Sequence, residues 1–202
     1  MWKTIVVLIL ASTSATRKAL LANAGIAFEA VPAGVNERAM EAAAHVDGAD
    51  APTIALALAG AKAIALAGET VVGSDQVLEL DGVVLHKAGT MGEARDRLAR
   101  LRGRTHRLHT AVALARDGVV VWSHVETATL TMRAFGDTER DAVLAAEGEA
   151  VLGSTGAYRL EGPSVRMFEK IEGDYFAILG LPLLPLIAAL RQYAPATLER
   201  FT

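Results

Sequence analysis

Residues 5–18 read IVVLILASTSATRK, and this stretch sets the expected class of fold. The seven β-branched and aliphatic residues Ile5–Ala11 suit a buried strand in a parallel sheet that is covered on both faces. A loop over Ser12–Ala15 follows, and a helix is predicted to begin near Thr16 and to end at Gly25. The order strand, loop, helix is typical of an α/β protein.

The N-terminus superficially resembles a signal peptide, because Lys3 precedes the apolar run and small residues follow it. The run has only the minimum length for such a signal, and Arg17 and Lys18 come directly after it. A buried first strand is therefore the favoured interpretation. Two further apolar stretches, residues 54–67 and 178–190, are shorter than the roughly 20 residues that cross a bilayer. We expect a cytoplasmic protein with no membrane partner.

Composition excludes several classes of protein. The 202 residues are 52% hydrophobic and 21% charged with a net charge of −3, which excludes intrinsic disorder and gives no general attraction to nucleic acid. The absence of cysteine excludes a disulfide scaffold, a thiolate zinc site and a thiol nucleophile.

Helical and extended patterns alternate along the rest of the chain. Helices are predicted over 52–67, 91–102, 137–147 (with Asp137 as N-cap) and 183–193, and strands over 70–73, 77–80, 83–85, 108–115, 119–122, 125–132 and 165–171. Asp81-Gly82 and Asp117-Gly118 are typical of type I′ hairpin turns. With no repeat or linker, residues 1–202 are predicted to form a single α/β domain with a mixed sheet, and a bilobed arrangement stays open.

Common catalytic motifs are missing. The sequence contains no P-loop, no GxGxxG, no HExxH and no GxSxG pattern. The five histidines show no convincing metal-ligand spacing, so each is interpreted as structural or solvated. They are His45, His86, His106, His109 and His124.

Three polar positions have two interpretations each. Residues 12–18 combine loop hydroxyls, a helix start and two cations, which suits a phosphate site as well as an ordinary helix cap with solvated cations. Asp75 follows the short apolar strand 70–73 and is either a site carboxylate or a turn residue. Lys62 stands alone in an apolar helix and either serves a site or extends its amine to solvent.

Two clusters carry weaker indications. The basic segment 95–107 is interrupted by acidic residues and contains no aromatic, so a solvated helix face is favoured over a nucleic-acid surface. Glycines and carboxylates over 156–182 suggest loops around a polar ligand.

Taken together, these segments resemble the Maf family of nucleotide pyrophosphatases. The resemblance covers nearly the whole chain and rests on the order and spacing of short motifs. They are LASTS at 10–14 with Arg17, Lys62-Ala63, GSDQV at 73–77, Lys87, TAVAL at 110–114, GAY at 156–158, Glu161-Gly162, IEGDY at 171–175 and GLPL at 180–183.

The resemblance implies an α/β fold with an elongated mixed sheet flanked by helices, two lobes around a cleft, and a homodimer. It implies hydrolysis of a nucleoside triphosphate to a monophosphate and pyrophosphate with Mg²⁺ or Mn²⁺. Asp75 matches the catalytic aspartate, as base or metal ligand, and Glu37 matches an acidic cleft residue that serves the metal. The phosphate-contacting positions are Ser12, Arg17, Lys62 and Lys87. The positions that vary with substrate preference are Thr16, Gln76 and Glu161.

Departures from the family pattern bear on the substrate. The usual SPRR is here Ser14-Ala15-Thr16-Arg17, which removes a proline and one cation, and Lys87 is followed by Ala88 instead of proline. Gln76 and Glu161 resemble the residues of the branch that prefers 7-methyl-GTP. The chemistry of Glu161 is compatible with that preference, since a carboxylate suits N–H donors or a positive ring on the base. Thr16 lacks the aromatic side chain of that branch.

Other functions stay open. The family has a link to septum formation, so a non-catalytic nucleotide-binding regulator of cell division is the alternative to an enzyme. A nucleic-acid-binding module would need an uninterrupted basic surface, which this sequence lacks.

Overall fold

The structure is a computed structural model that describes residues 8–46 and 48–201. The strands are β1 (Leu8–Leu10), β2 (Phe28–Ala30), β3 (Thr70–Leu80), β4 (Val83–Leu85), β5 (Thr105–Arg116), β6 (Val119–Met132) and β7 (Phe168–Glu172). The α-helices are α1 (Ala15–Asn23), α2 (Glu37–Val46), α3 (Ala51–Ile64), α4 (Met91–Leu101), α5 (Asp137–Glu147), α6 (Tyr175–Ile178) and α7 (Leu183–Tyr193). Short 3₁₀ helices cover Gly148–Gly153, Pro163–Met167 and Pro195–Phe201. Part of the predicted first strand, residues 5–7, lies outside the described residues.

One mixed sheet joins the seven strands of the described residues. Its order is β2-β1-β3-β5-β6-β7, with β4 paired to β3. Strand β1 runs parallel to β2 and β3, whereas β4 is antiparallel to β3 and β7 is antiparallel to β6. The predicted α/β class with a mixed sheet and flanking helices is therefore confirmed. Among the described residues, none of the helices has both the length and the apolar character needed to span a bilayer.

The chain divides into two compact units, and β3, β5 and β6 contribute residues to both. Of the described residues, the first unit comprises 8–46, 48–75, 110–126 and 175–201. Its core lies where β1 and the first half of β3 pack with α1 and α7. The buried side chains include Leu8, Leu10, Leu21, Val72, Leu186 and Leu190.

Helix α3 approaches strand β3 unusually closely. The buried face of α3 carries alanine at every fourth position, Ala51, Ala55, Ala59 and Ala63, which lie on one side of the helix. Gly73 of β3 faces this stripe, and a Cβ there would lie 2.1 Å from the carbonyl oxygen of Ala59 and 2.5 Å from the Ala63 nitrogen. Helix and strand therefore meet through backbone atoms, two residues before Asp75.

The second unit comprises residues 76–109 and 127–174. Its fully buried side chains include Leu78, Leu98, Leu101, Leu108 and Phe135. Asp81 and Gly82 have φ angles of 51° and 77°, the left-handed pair that a type I′ turn requires, and Asp117 and Gly118 in the first unit repeat them. Both predicted hairpin turns are confirmed.

The basic segment of the second unit is neutralised by its own contacts. Arg95 pairs with Asp141 at 2.9 Å, Arg102 pairs with Asp137, and Arg107 lies 3.6 Å from Glu79. The three arginine side chains are partly exposed, which agrees with the predicted solvated face, and each is also paired with a carboxylate.

Several element boundaries were predicted wrongly. Helix α3 ends at Ile64, not at residue 67, and the two strands predicted over 119–122 and 125–132 form one continuous strand, β6. Strand β3 does not stop at Asp75 but continues to Leu80. The predicted strand 165–171 begins only at Phe168, after a 3₁₀ turn. Gly136, not Asp137, is the N-cap of α5, so Asp137 is its first helical residue.

Candidate active site

Lys62 links two carboxylates in the first unit. Its Nζ lies 2.6 Å from Oδ1 of Asp75 and 2.6 Å from Oε1 of Glu37. The side chains of Lys62 and Asp75 are each 9% exposed, whereas that of Glu37 is 52% exposed. The interpretation in which Lys62 extends its amine to solvent is therefore wrong, and so is the interpretation of Asp75 as a turn residue.

The loop between β1 and α1 holds a buried guanidinium. Ser14 is the N-cap of α1, and its hydroxyl accepts a hydrogen bond from the Arg17 backbone N–H at 3.4 Å. The Ser12 hydroxyl accepts one from the Ser14 N–H at 3.2 Å and another from Arg17 Nη1 at 3.4 Å. Arg17 is 9% exposed. The alternative of a solvated Arg17 beside an ordinary cap is therefore wrong for this residue, although the cap itself is present.

Gly180 fixes the other side of Arg17. Arg17 Nε donates to the Gly180 carbonyl oxygen at 2.6 Å, and Ser74 Oγ lies 3.0 Å from the same oxygen and 2.8 Å from the carbonyl of Ala111. Gly180 has a φ of 104°, a conformation that residues with a side chain rarely adopt. The turn after α6 thus orients its carbonyl toward Arg17.

The charges of this cluster balance one another. Burial lowers the pKa of Arg17, while the negative charges of Asp75 and Glu37 oppose that shift. Arg17 and Lys62 carry two positive charges, and Asp75 and Glu37 carry two negative ones. The four side chains are formally neutral together.

Thr16 and Gln76 adjoin this cluster along the chain. Thr16 is half-buried in the first turn of α1. Gln76 follows Asp75 in β3 and belongs to the second unit, where it is half-buried. Successive side chains of a strand point to opposite faces, so the side chains of Asp75 and Gln76 lie on opposite faces of the sheet.

Lys87 and Glu161 lie in the second unit. Lys87 is exposed after β4, and Arg97 of α4 donates to the carbonyl of the preceding residue, His86, at 2.5 Å. Glu161 lies in a turn, and its Oε1 is 3.2 Å from Nε of Arg159.

The structure thus brings together Ser12, Arg17, Lys62, Asp75 and Glu37, and it places Lys87, Gln76 and Glu161 in the other unit.

Sequence reasoning missed Ser74, the Gly180 carbonyl and Glu147. Ser74 is fully buried beside Asp75, and its hydroxyl lies within hydrogen-bond distance of the Gly180 carbonyl oxygen, which also accepts from Arg17. Glu147 has a side chain only 1% exposed and binds the segment that carries Glu161. A glutamate at the end of an amphipathic helix carries no signal of burial, so nothing in the sequence distinguished it.

The donor set of the first unit suits a hard divalent cation. Among the described residues, no group of three or more His, Asp or Glu side chains forms a ready metal cage. The Asp75 and Glu37 oxygens that contact Lys62 are at most 5.2 Å apart, since each lies 2.6 Å from the same nitrogen. One or two carboxylates are what Mg²⁺ commonly takes from a protein, with waters and substrate phosphates completing its coordination.

Fold and site together define the class of protein. A family model described as Maf-like protein matches residues 7–193, and the chain belongs to the Maf family. A 7-methyl-GTP pyrophosphatase of Rhizobium meliloti strain 1021 is 50% identical over 189 residues, covering 92% of this chain and 95% of the relative. A nucleoside triphosphate pyrophosphatase of Granulibacter bethesdensis is 47% identical over 194 residues, covering 94% and 98%. Another of that description, from Caulobacter vibrioides, is 48% identical over 191 residues, covering 93% and 96%. The predicted membership is confirmed.

Proposed function

We propose that this chain is a nucleoside triphosphate pyrophosphatase, a hydrolase that converts a nucleoside triphosphate to the monophosphate and pyrophosphate. The observation that carries the proposal is the buried Lys62, which holds the Asp75 and Glu37 carboxylates together in the same unit as the buried Arg17. The names of the relatives at 47–50% identity support the same reaction. Residues 1–202 are proposed to act as one catalytic domain.

Asp75 is the proposed catalytic residue. Its carboxylate is held in one orientation by Lys62 and by the rigid middle of strand β3. A carboxylate so placed can take a proton from an attacking water, and a positioned general base typically contributes about 10²–10⁴-fold to the rate. The same carboxylate can also bind a metal, and Asp75 is proposed to act as general base, as metal ligand, or as both.

A divalent cation, Mg²⁺ or Mn²⁺, is the proposed cofactor. Asp75 and Glu37 would hold it, because both present carboxylate oxygens and the described residues offer no cysteine or histidine beside them. When bound, it supplies positive charge that polarises a phosphate and lowers the cost of charge on the pyrophosphate leaving group. Because the four charged side chains are formally neutral together, such an added cation would favour the binding of a highly anionic substrate.

The remaining phosphate contacts are proposed for Ser12, Arg17, Lys62 and Lys87. Arg17 is already oriented by Ser12 and the Gly180 carbonyl, so it loses little freedom when it meets a phosphate. Preorganised cations of this kind stabilise the charge that develops on the leaving group.

Thr16, Gln76 and Glu161 are the proposed determinants of base preference. Ionised Glu161 can only accept hydrogen bonds, which suits the N1–H and 2-amino group of guanine or the positive ring of a 7-methylated base. We therefore propose a preference for 7-methyl-GTP or GTP over UTP and dTTP, in line with the name of the Rhizobium meliloti relative. A homodimer in the cytoplasm is proposed as the working form.

The decisive experiment incubates purified protein with Mg²⁺ and a panel of triphosphates and measures pyrophosphate release. Wild-type protein should release pyrophosphate, and Asp75→Asn should lose about 10²–10⁴-fold in kcat while remaining folded, because Lys62 keeps its second partner, Glu37. Asp141→Asn removes a surface carboxylate of the second unit and serves as the matched control with unchanged activity. A folded wild type that binds nucleotide without releasing pyrophosphate would instead favour the regulator of cell division.

A further inference from the structure

A buried carboxylate organises the turn that carries Glu161. Glu147 ends helix α5, and its side chain is 1% exposed. Its Oε1 accepts hydrogen bonds from the backbone N–H of Ser164 at 2.9 Å and from the Ser164 hydroxyl at 2.7 Å. A buried carboxylate must be compensated in this way, and these bonds fix residue 164 against the end of the helix.

The segment between Arg159 and Ser164 is closed tightly around this anchor. The Gly162 N–H donates to the Arg159 carbonyl at 3.3 Å, so Leu160 and Glu161 form the tip of a turn. A Cβ at Gly162 would lie 2.5 Å from Oε1 of Glu147, so a larger residue there would displace this carboxylate from its bonds to Ser164. The carboxylate of Glu147 therefore determines where this turn sits.

Arg159 connects the buried carboxylate to the exposed one. Its Nη1 lies 3.4 Å from Oε2 of Glu147, and its Nε lies 3.2 Å from Oε1 of Glu161. The guanidinium is planar and rigid, so fixing one edge on Glu147 fixes the direction of the other edge. A hydrogen-bonded series thus runs from Ser164 through Glu147 and Arg159 to Glu161.

We propose that Arg159 and Glu147 are positioning residues for base selection, with Arg159 directing the Glu161 carboxylate toward the donor edge of a purine. This proposal rests on the proposed function, since Glu161 is the side chain assigned to the base there. Without Arg159, Glu161 would sample several rotamers and would lose its advantage in discriminating guanine from uracil. Lysine at position 159 could not hold both carboxylates, because its ammonium lacks the two-edged geometry.

The test is a double-mutant cycle on substrate preference. The variants are Arg159→Gln, Glu161→Gln, the double variant, and Glu147→Gln. For each, kcat/KM is measured with GTP and UTP, and Kd is measured by calorimetry with the α,β-methylene analogues of both. Arg95→Gln removes another arginine–carboxylate contact of the same unit, Arg95–Asp141, and is the matched control.

Arg159→Gln should lower the GTP-to-UTP ratio of kcat/KM roughly tenfold, on the scale of couplings between residues in contact, with little change for UTP. The double variant should have the same GTP-to-UTP ratio as Glu161→Gln alone, because both substitutions remove the same interaction with the base. Glu147→Gln should shift the ratio in the same direction, and Arg95→Gln should leave it unchanged.

Three results would overturn the proposal: an unchanged ratio in Arg159→Gln, an equal loss for GTP and UTP, or additive effects in the double variant. Failure of the proposed function is distinguishable, because a wild type that releases no pyrophosphate from any triphosphate still yields the Kd ratio. If that binding ratio collapses in Arg159→Gln, the positioning role stands without the reaction. If it does not change, the positioning role fails as well.

Discussion

Replacing Lys62 by methionine tests the ion pair at the centre of the candidate site. Methionine keeps most of the apolar stem and removes the ammonium, so Asp75 loses the cation that lies 2.6 Å from its Oδ1. Both side chains are 9% exposed, and breaking a buried pair by removing one partner typically costs about 3–5 kcal/mol, because a buried charge is left uncompensated. We expect the free energy of unfolding to fall by about that amount.

The assay is urea unfolding at neutral pH, with two companions. Lys170→Met is the matched control, since Lys170 Nζ lies 2.8 Å from Glu172 Oε1 but both side chains are more than half exposed, and surface pairs contribute about 0–1 kcal/mol. The double variant Lys62→Met/Asp75→Asn should recover much of the lost stability, because it removes the stranded charge. A Lys62→Met variant no less stable than Lys170→Met would refute the reasoning.

Three further outcomes are expected. Gly73→Ala should lower the free energy of unfolding by about 1–3 kcal/mol or more, measured with urea, because its Cβ would meet the backbone of α3. In Gly60→Ala, on α3 itself, the new Cβ meets only a Val120 methyl at 3.8 Å, so this control should be neutral or stabilising. Equal effects of the two changes would contradict the close approach of helix and strand. Burial, aided by the Arg97 charge, lowers the pKa of His106 to about 4, so the folded state favours the neutral imidazole. The free energy of unfolding should therefore fall by about 3 kcal/mol through this group as the pH falls from 6.5 to 4. In urea unfolding at pH 7 and pH 4, His106→Gln should lack this part of the pH dependence. Arg17→Lys should lower kcat about 10²–10³-fold in the pyrophosphate assay, since an ammonium cannot reproduce the paired contacts to Ser12 and the Gly180 carbonyl, and near-normal turnover would remove Arg17 from the mechanism.

Local sequence signals account for the elements that were predicted well. The Asp-Gly pairs at 81–82 and 117–118 adopt the left-handed turn that their chemistry favours, and the final helix spans Leu183–Tyr193 as its periodicity indicates. The predicted end of strand β3 comes too early, because Gly73, Ser74 and Asp75 are residue types that are rare in strands. Neighbouring strands and helix α3 override those preferences, since residues 70–75 are all buried within the sheet.

Residue type and position made Arg17, Lys62 and Asp75 candidates, but only the resemblance assigned them to one site. Lys62 and Asp75 are 13 residues apart on different elements, and the residues around either position do not indicate that the two side chains are in contact. The Gly180 carbonyl that orients Arg17 is a backbone group 163 residues away, and such groups leave no trace in side-chain patterns. Long-range contacts of this kind depend on tertiary packing, which residue types and spacing do not specify.

The alanine face of α3 has a mechanical consequence. Most helices rest on strands through side chains that can change rotamer, but here carbonyl and amide groups set the distance directly. Close-packed backbone has low compressibility, so the spacing between Lys62 and Asp75 should change little under hydrostatic pressure or across the temperature range of the folded protein. The separation of the two opposite charges is thereby built into the least adjustable part of the molecule.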